Sequence, residues 1–165
     1  MNKTLLILVS HVSFFISHRL DLAITAKNMG YNVKVAFGEL DADIKCLTDI
    51  GIDSFHTPIQ RGGTHLLKDL KSLYSIWSLF LKVRPDIVHL VTIKPYLYGG
   101  VIARLSSISC VVSAVSGLGS VFIHKDFRSR FLRLLLNPIY RLAFNHFNQR
   151  VIVQNEEDAK VLVEL

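Results

Sequence analysis

Three junctions in this chain carry the residues best suited to chemistry. The first is "IVHLVTIKPYLYGG", residues 87–100, where an apolar run ends on Thr92 and gives way to Lys94, Pro95, Tyr96, Tyr98 and two glycines. Proline suits the first turn of a helix, and a helix start offers free N–H groups and the positive end of its dipole to an anion. Lys94 would add a movable ammonium at the same place, so Thr92, Lys94 and Tyr98 are candidates for contact with a phosphate or diphosphate. A solvated loop lysine beside a purely conformational proline fits the same residues. Gly99 and Gly100 fall within the helix that follows, where each costs about 1 kcal/mol relative to alanine; close packing against a neighbour is expected to offset that.

The second junction is "SGLG", Ser116 to Gly119. Its glycines allow positive φ and let a backbone amide come close to a ligand, so Ser116, Gly117 and Gly119 join the candidates, although many strand-to-loop transitions look the same. The third is "VSHVSFFISHR" near the N-terminus. Here His18 or Arg19 could meet phosphate, Ser13 lies beside them, and Phe14 could face an apolar tail; the alternative is that the aromatics simply bury the loop while Ser17 caps a helix. This junction contains no glycine, which disfavours a dinucleotide fingerprint. His89 lies within an apolar run and reads as a core histidine. Cys46 and Cys110 are isolated, so neither a disulfide framework nor a zinc site is indicated. No metal and no cofactor is expected.

A further segment, "FIHKDFRSRFLRLLLNPIYRLAF", alternates Lys125, Arg128, Arg130, Arg133 and Arg141 with Phe127, Phe131 and a run of leucines. Basic residues beside a broad apolar face describe an interfacial membrane helix, and equally a sheet-covering helix with a solvated edge. We expect a mixed role, with Lys125, Arg128, Arg130, Phe131 and Arg133 facing an anionic membrane. The formal charge of +6 suits an anionic partner. Nucleic acid is disfavoured, because the aromatics lie on apolar helical faces and no nucleic-acid motif appears.

These junctions must be held by regular elements. At 165 residues, half of them apolar and 19% charged, the chain supports one domain with a substantial core. "KTLLILVS", "YNVKVAF", "IDSFHTP", "DIVHLVT", "CVVSAV" and "RVIVQ" read as strands, mostly short continuous apolar runs of the kind buried on both faces. Between them lie helical patterns: one with Leu20, Ala23, Ile24 and Lys27 on a face, capped by Ser17 and stopped by Gly30; one opening on the acids of "DADIKCLTDIG"; and the longest, Thr64 to Val83, with Leu66, Leu70, Leu73, Trp77 and Phe80 on one stripe. A helix from Pro95, a helix or broken pair across Arg128 to Phe147, and a last helix capped by Asn155 complete the set. The apolar starts at "MNKTLLILVS" and at Leu105 to Ile123 are interrupted by polar residues and read as core elements rather than a signal or a span. Repeated β-α units need right-handed crossovers, so the expected fold is α/β: a doubly wound, parallel, six-stranded Rossmann-like sheet ordered 3-2-1-4-5-6. Ligands bind such sheets at the carboxyl ends of the strands, near the switch between the first and fourth, which selects the loops Ser10–Ser17, Thr92–Tyr98 and Ser116–Ser120.

Taken together, "FFISHRLDLAITAKNMGYNVKVA", "RPDIVHLVTIKPYLYGGVIARL", "VVSAVSGLGSVF" and "VIVQNEEDAKVL" resemble the N-terminal domain of glycosyltransferase family 4, especially bacterial members that extend polyprenyl-diphosphate-linked glycans. The resemblance implies one half of a GT-B fold, with residues 1–165 forming the acceptor-binding domain and a separate C-terminal domain or subunit holding the nucleotide-sugar donor. It implies retaining, metal-independent transfer, with the donor as a substrate rather than a cofactor, and a cytoplasmic protein peripheral on the inner face of the cell membrane. Lys94 and the loop from Ser116 to Gly119 would border the acceptor side of the cleft. Many members carry glycines in the first junction and a histidine after the fifth strand; this chain has Ser13-Phe14 and Ser116-Gly117 there, so no general base is assigned. Residues 1–165 are expected to be inactive alone. A non-catalytic membrane module, a subunit of a split glycosyltransferase and half of an epimerase-like protein are the competing readings.

Overall fold

A computed structural model describes residues 2–59, 66–118 and 127–164, with the side chains at 127–133 and 135 outside that description. Six strands form one parallel sheet in the order β3-β2-β1-β4-β5-β6: β1 (Thr4–His11), β2 (Asn32–Glu39), β3 (Asp53–His56), β4 (Ile87–Val91), β5 (Cys110–Val115) and β6 (Gln149–Val153). This is the topology expected from the repeated pattern. Ile7 of β1 sits opposite Val35 on one side and His89 on the other, which places β1 and β4 side by side at the switch point.

The continuous apolar run of β1 is explained by its two faces. Leu6 and Leu8 pack on one side with Ile76, Phe80, Tyr96 and Ala143, whereas Leu5, Ile7 and Val9 pack on the other with Phe15, Ala23 and Leu47. The second layer comprises α1 (Val12–His18), α2 (Leu20–Asn28) and α3 (Lys45–Asp49). The first comprises α4 (Leu66–Val83), α5 (Gly100–Arg104), entered through a π-helical turn at Pro95–Gly99, and α6 (Phe127–Phe144), with α7 (Glu156–Glu164) following β6. Among the described residues no helix is long and apolar enough to cross a membrane. Asn155 caps α7 as expected, its Oδ1 accepting the Asp158 amide at 2.7 Å. The segment around Asn137-Pro138 is one helix, not a broken pair.

Three local expectations are corrected. Ser17 is not an N-cap: α1 starts directly after β1, and Ser17 lies in its last turn with Oγ donating to the Ser13 carbonyl at 2.8 Å. The start of α1 is served instead by Asp41, whose carboxylate accepts the Ser13 amide at 2.9 Å and the Ser13 hydroxyl. Asp41 therefore precedes α3 rather than opening it, and Asp43 accepts the Lys45 amide at 2.8 Å. Finally, α4 is rotated from the expected stripe. It buries Ser72, Ile76, Leu79 and Phe80 against the sheet, and Leu66, Leu70 and Trp77 turn outward.

The glycine pair after Pro95 has the packing reason anticipated for it. A Cβ on Gly100 would lie 2.5 Å from the Ala143 carbonyl oxygen of α6, and backbone of a packed helix cannot yield as a side-chain tip does. Gly100→Ala is expected to lower unfolding free energy by about 2 kcal/mol, in the range of overpacked cores, measured by urea titration. An unchanged midpoint would mean that α5 and α6 separate without cost.

Candidate functional site

The carboxyl ends of β1, β4 and β5 bring the three junctions to one edge. Ser10 and Thr92, from neighbouring strands, share a hydrogen bond between hydroxyls at 2.5 Å. Thr92 holds φ at +74°, a conformation that costs a β-branched residue about 1–3 kcal/mol and that collects at functional sites. Its carbonyl accepts the Tyr96 amide at 3.0 Å, closing the turn into Pro95–Gly99. Beside it on β1, His11 is 9% exposed and its Nδ1 is buried with no hydrogen-bond partner. Phe14 meets the His11 ring edge-on and stacks on His18 at 4.4 Å between ring centres. The Ser13 hydroxyl and amide, with a smaller contribution from the His11 charge, hold Asp41 below the usual carboxylate range.

Lys94 is not a free cation. Its Nζ donates to Asp69 of α4 at 2.9 Å, with both side chains largely buried. Tyr98 lies beneath the ammonium, 5.9 Å from ring centre to Nζ, and its hydroxyl also bonds Asp69. Burial, then Asp69, keeps Tyr98 above its ordinary pKa and neutral. An ammonium has three N–H donors, so the pair fixes the position of Lys94 and leaves donor capacity for an anion.

The loop after β5 is tied to the same edge. The Tyr96 hydroxyl donates to the Gly117 carbonyl at 3.0 Å, and Tyr140 of α6 donates to the Leu118 carbonyl at 2.9 Å. Gly117 takes φ at +136°, which glycine alone adopts without strain. Thus Thr92, Lys94, Tyr98, Ser116 and Gly117 share one edge with Ser13 and Phe14. His18 and Arg19 lie at the far end of α1: the Arg19 Nη1 donates to the His18 carbonyl at 2.8 Å, and its charge acts on His89 in the middle of β4. Gly119 and Lys125 lie outside the described residues. So do the side chains of Arg128, Arg130, Phe131 and Arg133, whose backbone forms the start of α6.

Asp41 and Asp69 are additions to the site that the sequence did not single out, whereas Ser10 and His11 belong to the loop Ser10–Ser17 that it selected. Ser10 and His11 are legible as the end of the first strand. Asp41 and Asp69 carry no local signal, since they meet Ser13 and Lys94 across 28 and 25 residues. Further along the edge, past β2 and β3, a recess of about 340 Å³ is lined by Gly38, Glu39, His56, Lys68 and Lys71 among others. A separate cavity of about 440 Å³, lined by Trp77, Arg84, Asp86, Leu105 and Ser106–Ser109, opens at the amino-terminal edge of β4 and β5. It lies away from the strand ends that gather the polar groups, and we do not assign it to the site.

A family model described as glycosyl transferase 4-like matches residues 4–155. Over 117 residues the chain is 28% identical to an Escherichia coli protein, UDP-Gal:alpha-D-GlcNAc-diphosphoundecaprenol alpha-1,3-galactosyltransferase; the match takes in 71% of this chain and 29% of that one. It is 24% identical over 116 residues to the N,N'-diacetylbacillosaminyl-diphospho-undecaprenol alpha-1,3-N-acetylgalactosaminyltransferase of Campylobacter jejuni, covering 70% of this chain and 31% of the other. The chain thus spans about three-tenths of the length of these relatives. In three dimensions it superposes on a UDP-N-acetylglucosamine 2-epimerase with a TM-score of 0.65 at 16% identity, over 99% of this chain and 45% of that one; this likeness concerns the fold alone.

Proposed function

Because the chain belongs to the glycosyl transferase 4-like family, we propose that residues 1–165 form the acceptor-binding half of a retaining glycosyltransferase acting on a polyprenyl-diphosphate-linked glycan. The donor, a nucleotide sugar, would be held by a separate C-terminal domain or subunit, and transfer would need both halves. The observation that carries this reading is that both curated relatives are named for acceptors on a diphosphoundecaprenol carrier. The geometry supports it: an anion at the carboxyl edge would meet Lys94, poised by Asp69, together with the amides and hydroxyls around Thr92 and Ser116. Peripheral attachment at the inner membrane face follows from the same substrate. We assign no residue as general base and no metal or cofactor.

Competition at Lys94 tests this. Amine-reactive labelling of the chain, read by mass spectrometry, should be slowed at Lys94 by a water-soluble, short-chain polyprenyl-diphosphate sugar. At ten times its Kd the analogue should protect about tenfold, by simple occupancy, while Lys3 and Lys160 keep their rates. Lys94 labelling that ignores the analogue at saturating concentration overturns the acceptor assignment.

A further inference from the structure

The cavity at the amino-terminal edge of β4 and β5 has no part in the acceptor reading, yet it is built like a ligand site. Its volume, about 440 Å³, falls in the range of about 300–1,000 Å³ common for small-molecule pockets. Phe80, Pro85 and Ile108, all buried, supply apolar lining, and Trp77 adds a partly exposed indole. The polar groups come from two short segments, Arg84 to Asp86 after α4 and Ser106 to Ser109 after α5. Two of them serve the fold: Asp86 accepts the Thr4 amide on Oδ2 at 2.7 Å, and the Ser106 hydroxyl donates to the Ile102 carbonyl at 2.7 Å. Among the described residues, the other oxygen of Asp86, the Arg84 guanidinium, the Ser107 and Ser109 hydroxyls and the Trp77 indole N–H have no protein partner.

Arg84 is held there under strain. It takes the C′ position of α4, its amide donating to the Phe80 carbonyl at 2.8 Å, with φ at +47°. Glycine adopts that conformation at helix ends freely, and Pro85 stops the helix whatever precedes it. Strained residues other than glycine collect at binding and catalytic sites, and here the strained residue brings a guanidinium to the cavity.

The lining selects the class of ligand. One guanidinium and one carboxylate cancel, and α4 and α5 both end at this edge with the negative ends of their dipoles, so a polyanion is disfavoured. Hydroxyls, a carboxylate and a guanidinium together offer donors and acceptors in one space. The face of an indole carries partial negative charge, which suits polarised C–H groups. A sugar ring presents C–H groups on one face and hydroxyls around its rim. We propose that this cavity is a second saccharide site, holding a neutral sugar ring against Trp77 with its hydroxyls on Arg84, Asp86, Ser107 and Ser109. The five residues of β4 separate the two edges of the sheet by about 17 Å, at about 3.3 Å per residue. A sugar bound here is therefore held away from Thr92 and Lys94 and is not the reacting group. The inference goes beyond the acceptor reading and stands without it.

Trp77 is the chain's one tryptophan, so its emission reports on this cavity. Titrating the 165-residue chain with the methyl glycosides of glucose, galactose and N-acetylglucosamine, and with lactose and N,N'-diacetylchitobiose, should change that emission saturably for at least one sugar. Saturation-transfer NMR should place the ring C–H protons of the same sugar against the protein. The double variant Ser107→Ala, Ser109→Ala should keep the wild-type melting curve, since both residues are exposed, and bind that sugar about tenfold more weakly through two lost hydrogen bonds. Arg84→Gly should also bind about tenfold more weakly, yet melt no lower than the wild type, because the strain leaves with the side chain. No saturable response to any of these sugars, a response to uridine or inorganic phosphate at lower concentration than to any sugar, or wild-type affinity in both variants overturns the proposal. So does slowed labelling of Lys94 in step with the Trp77 change, which would put the sugar in the acceptor site. Failure of the polyprenyl-diphosphate analogue to protect Lys94, with the Trp77 response intact, sinks the acceptor reading alone.

Discussion

Asp69→Asn should cost about 3 kcal/mol of stability and lower the melting temperature by roughly 6–12 °C for a chain of this length. The substitution keeps the shape of the side chain and removes its charge, which leaves the Lys94 ammonium, 14% exposed, without its counter-ion. Removing one partner of a desolvated pair is costly because the other charge stays behind in a poorly solvated place. Tyr98 loses the charged acceptor of its hydroxyl at the same time. The double change Asp69→Leu with Lys94→Met should recover most of the loss, since an apolar pair of similar volume carries no desolvation penalty. Urea unfolding of the two variants decides the matter. A loss below 1 kcal/mol for Asp69→Asn would show that Lys94 is solvated, and the picture of a pre-positioned cation at the site would be withdrawn.

The second large effect is acid sensitivity arising at His89. Burial within the sheet, reinforced by the positive charge of Arg19, pushes its pKa from 6.5 down to about 4, and the hydrogen bond between its Nδ1 and the Val112 carbonyl of β5, 3.2 Å, opposes the shift only in part. The sign follows from linkage. Between pH 6.5 and 4 the unfolded chain takes up a proton at this residue and the folded chain does not, so stability falls as pH falls through that window. The full depression corresponds to about 3 kcal/mol. Unfolding free energies at pH 7, 5.5 and 4.5 should therefore converge less steeply in His89→Leu, and the difference between the two pH slopes isolates this histidine from the carboxylates. Parallel slopes in the two proteins would mean that His89 is protonated in the folded state.

Both effects depend on arrangements with no counterpart in local pattern. The Asp69–Lys94 pair joins the first turn of α4 to the end of β4, and nothing in "LLKDLKS" distinguishes an aspartate that turns inward from one that faces water. The cap on α1 shows the same thing. Ser17 has the right type and position for a local N-cap of α2, yet a separate helix, α1, runs through it; Asp41 arrives from the β2–α3 connection and satisfies the Ser13 amide in the first turn of α1, and α2 begins only at Leu20. In α4 the difficulty is an excess of signal: with apolar residues on most of its circumference, more than one stripe is available, and the sheet takes the one centred on Ile76.

Six apolar runs separated by helical segments and stopped by glycine, proline and asparagine dictate a parallel sheet in this strand order, because buried strands must be hydrophobic on both faces and the crossovers between them have one hand. That much is a property of the chain read in order, and with it goes the edge on which Thr92, Lys94 and Gly117 gather. The partner of Lys94, the strained turn at Thr92, the tyrosines that anchor the loop after β5, and the face that α4 leaves to solvent were decided only in three dimensions. Each depends on groups brought together across tens of residues, where packing and desolvation outweigh any preference a short segment holds by itself.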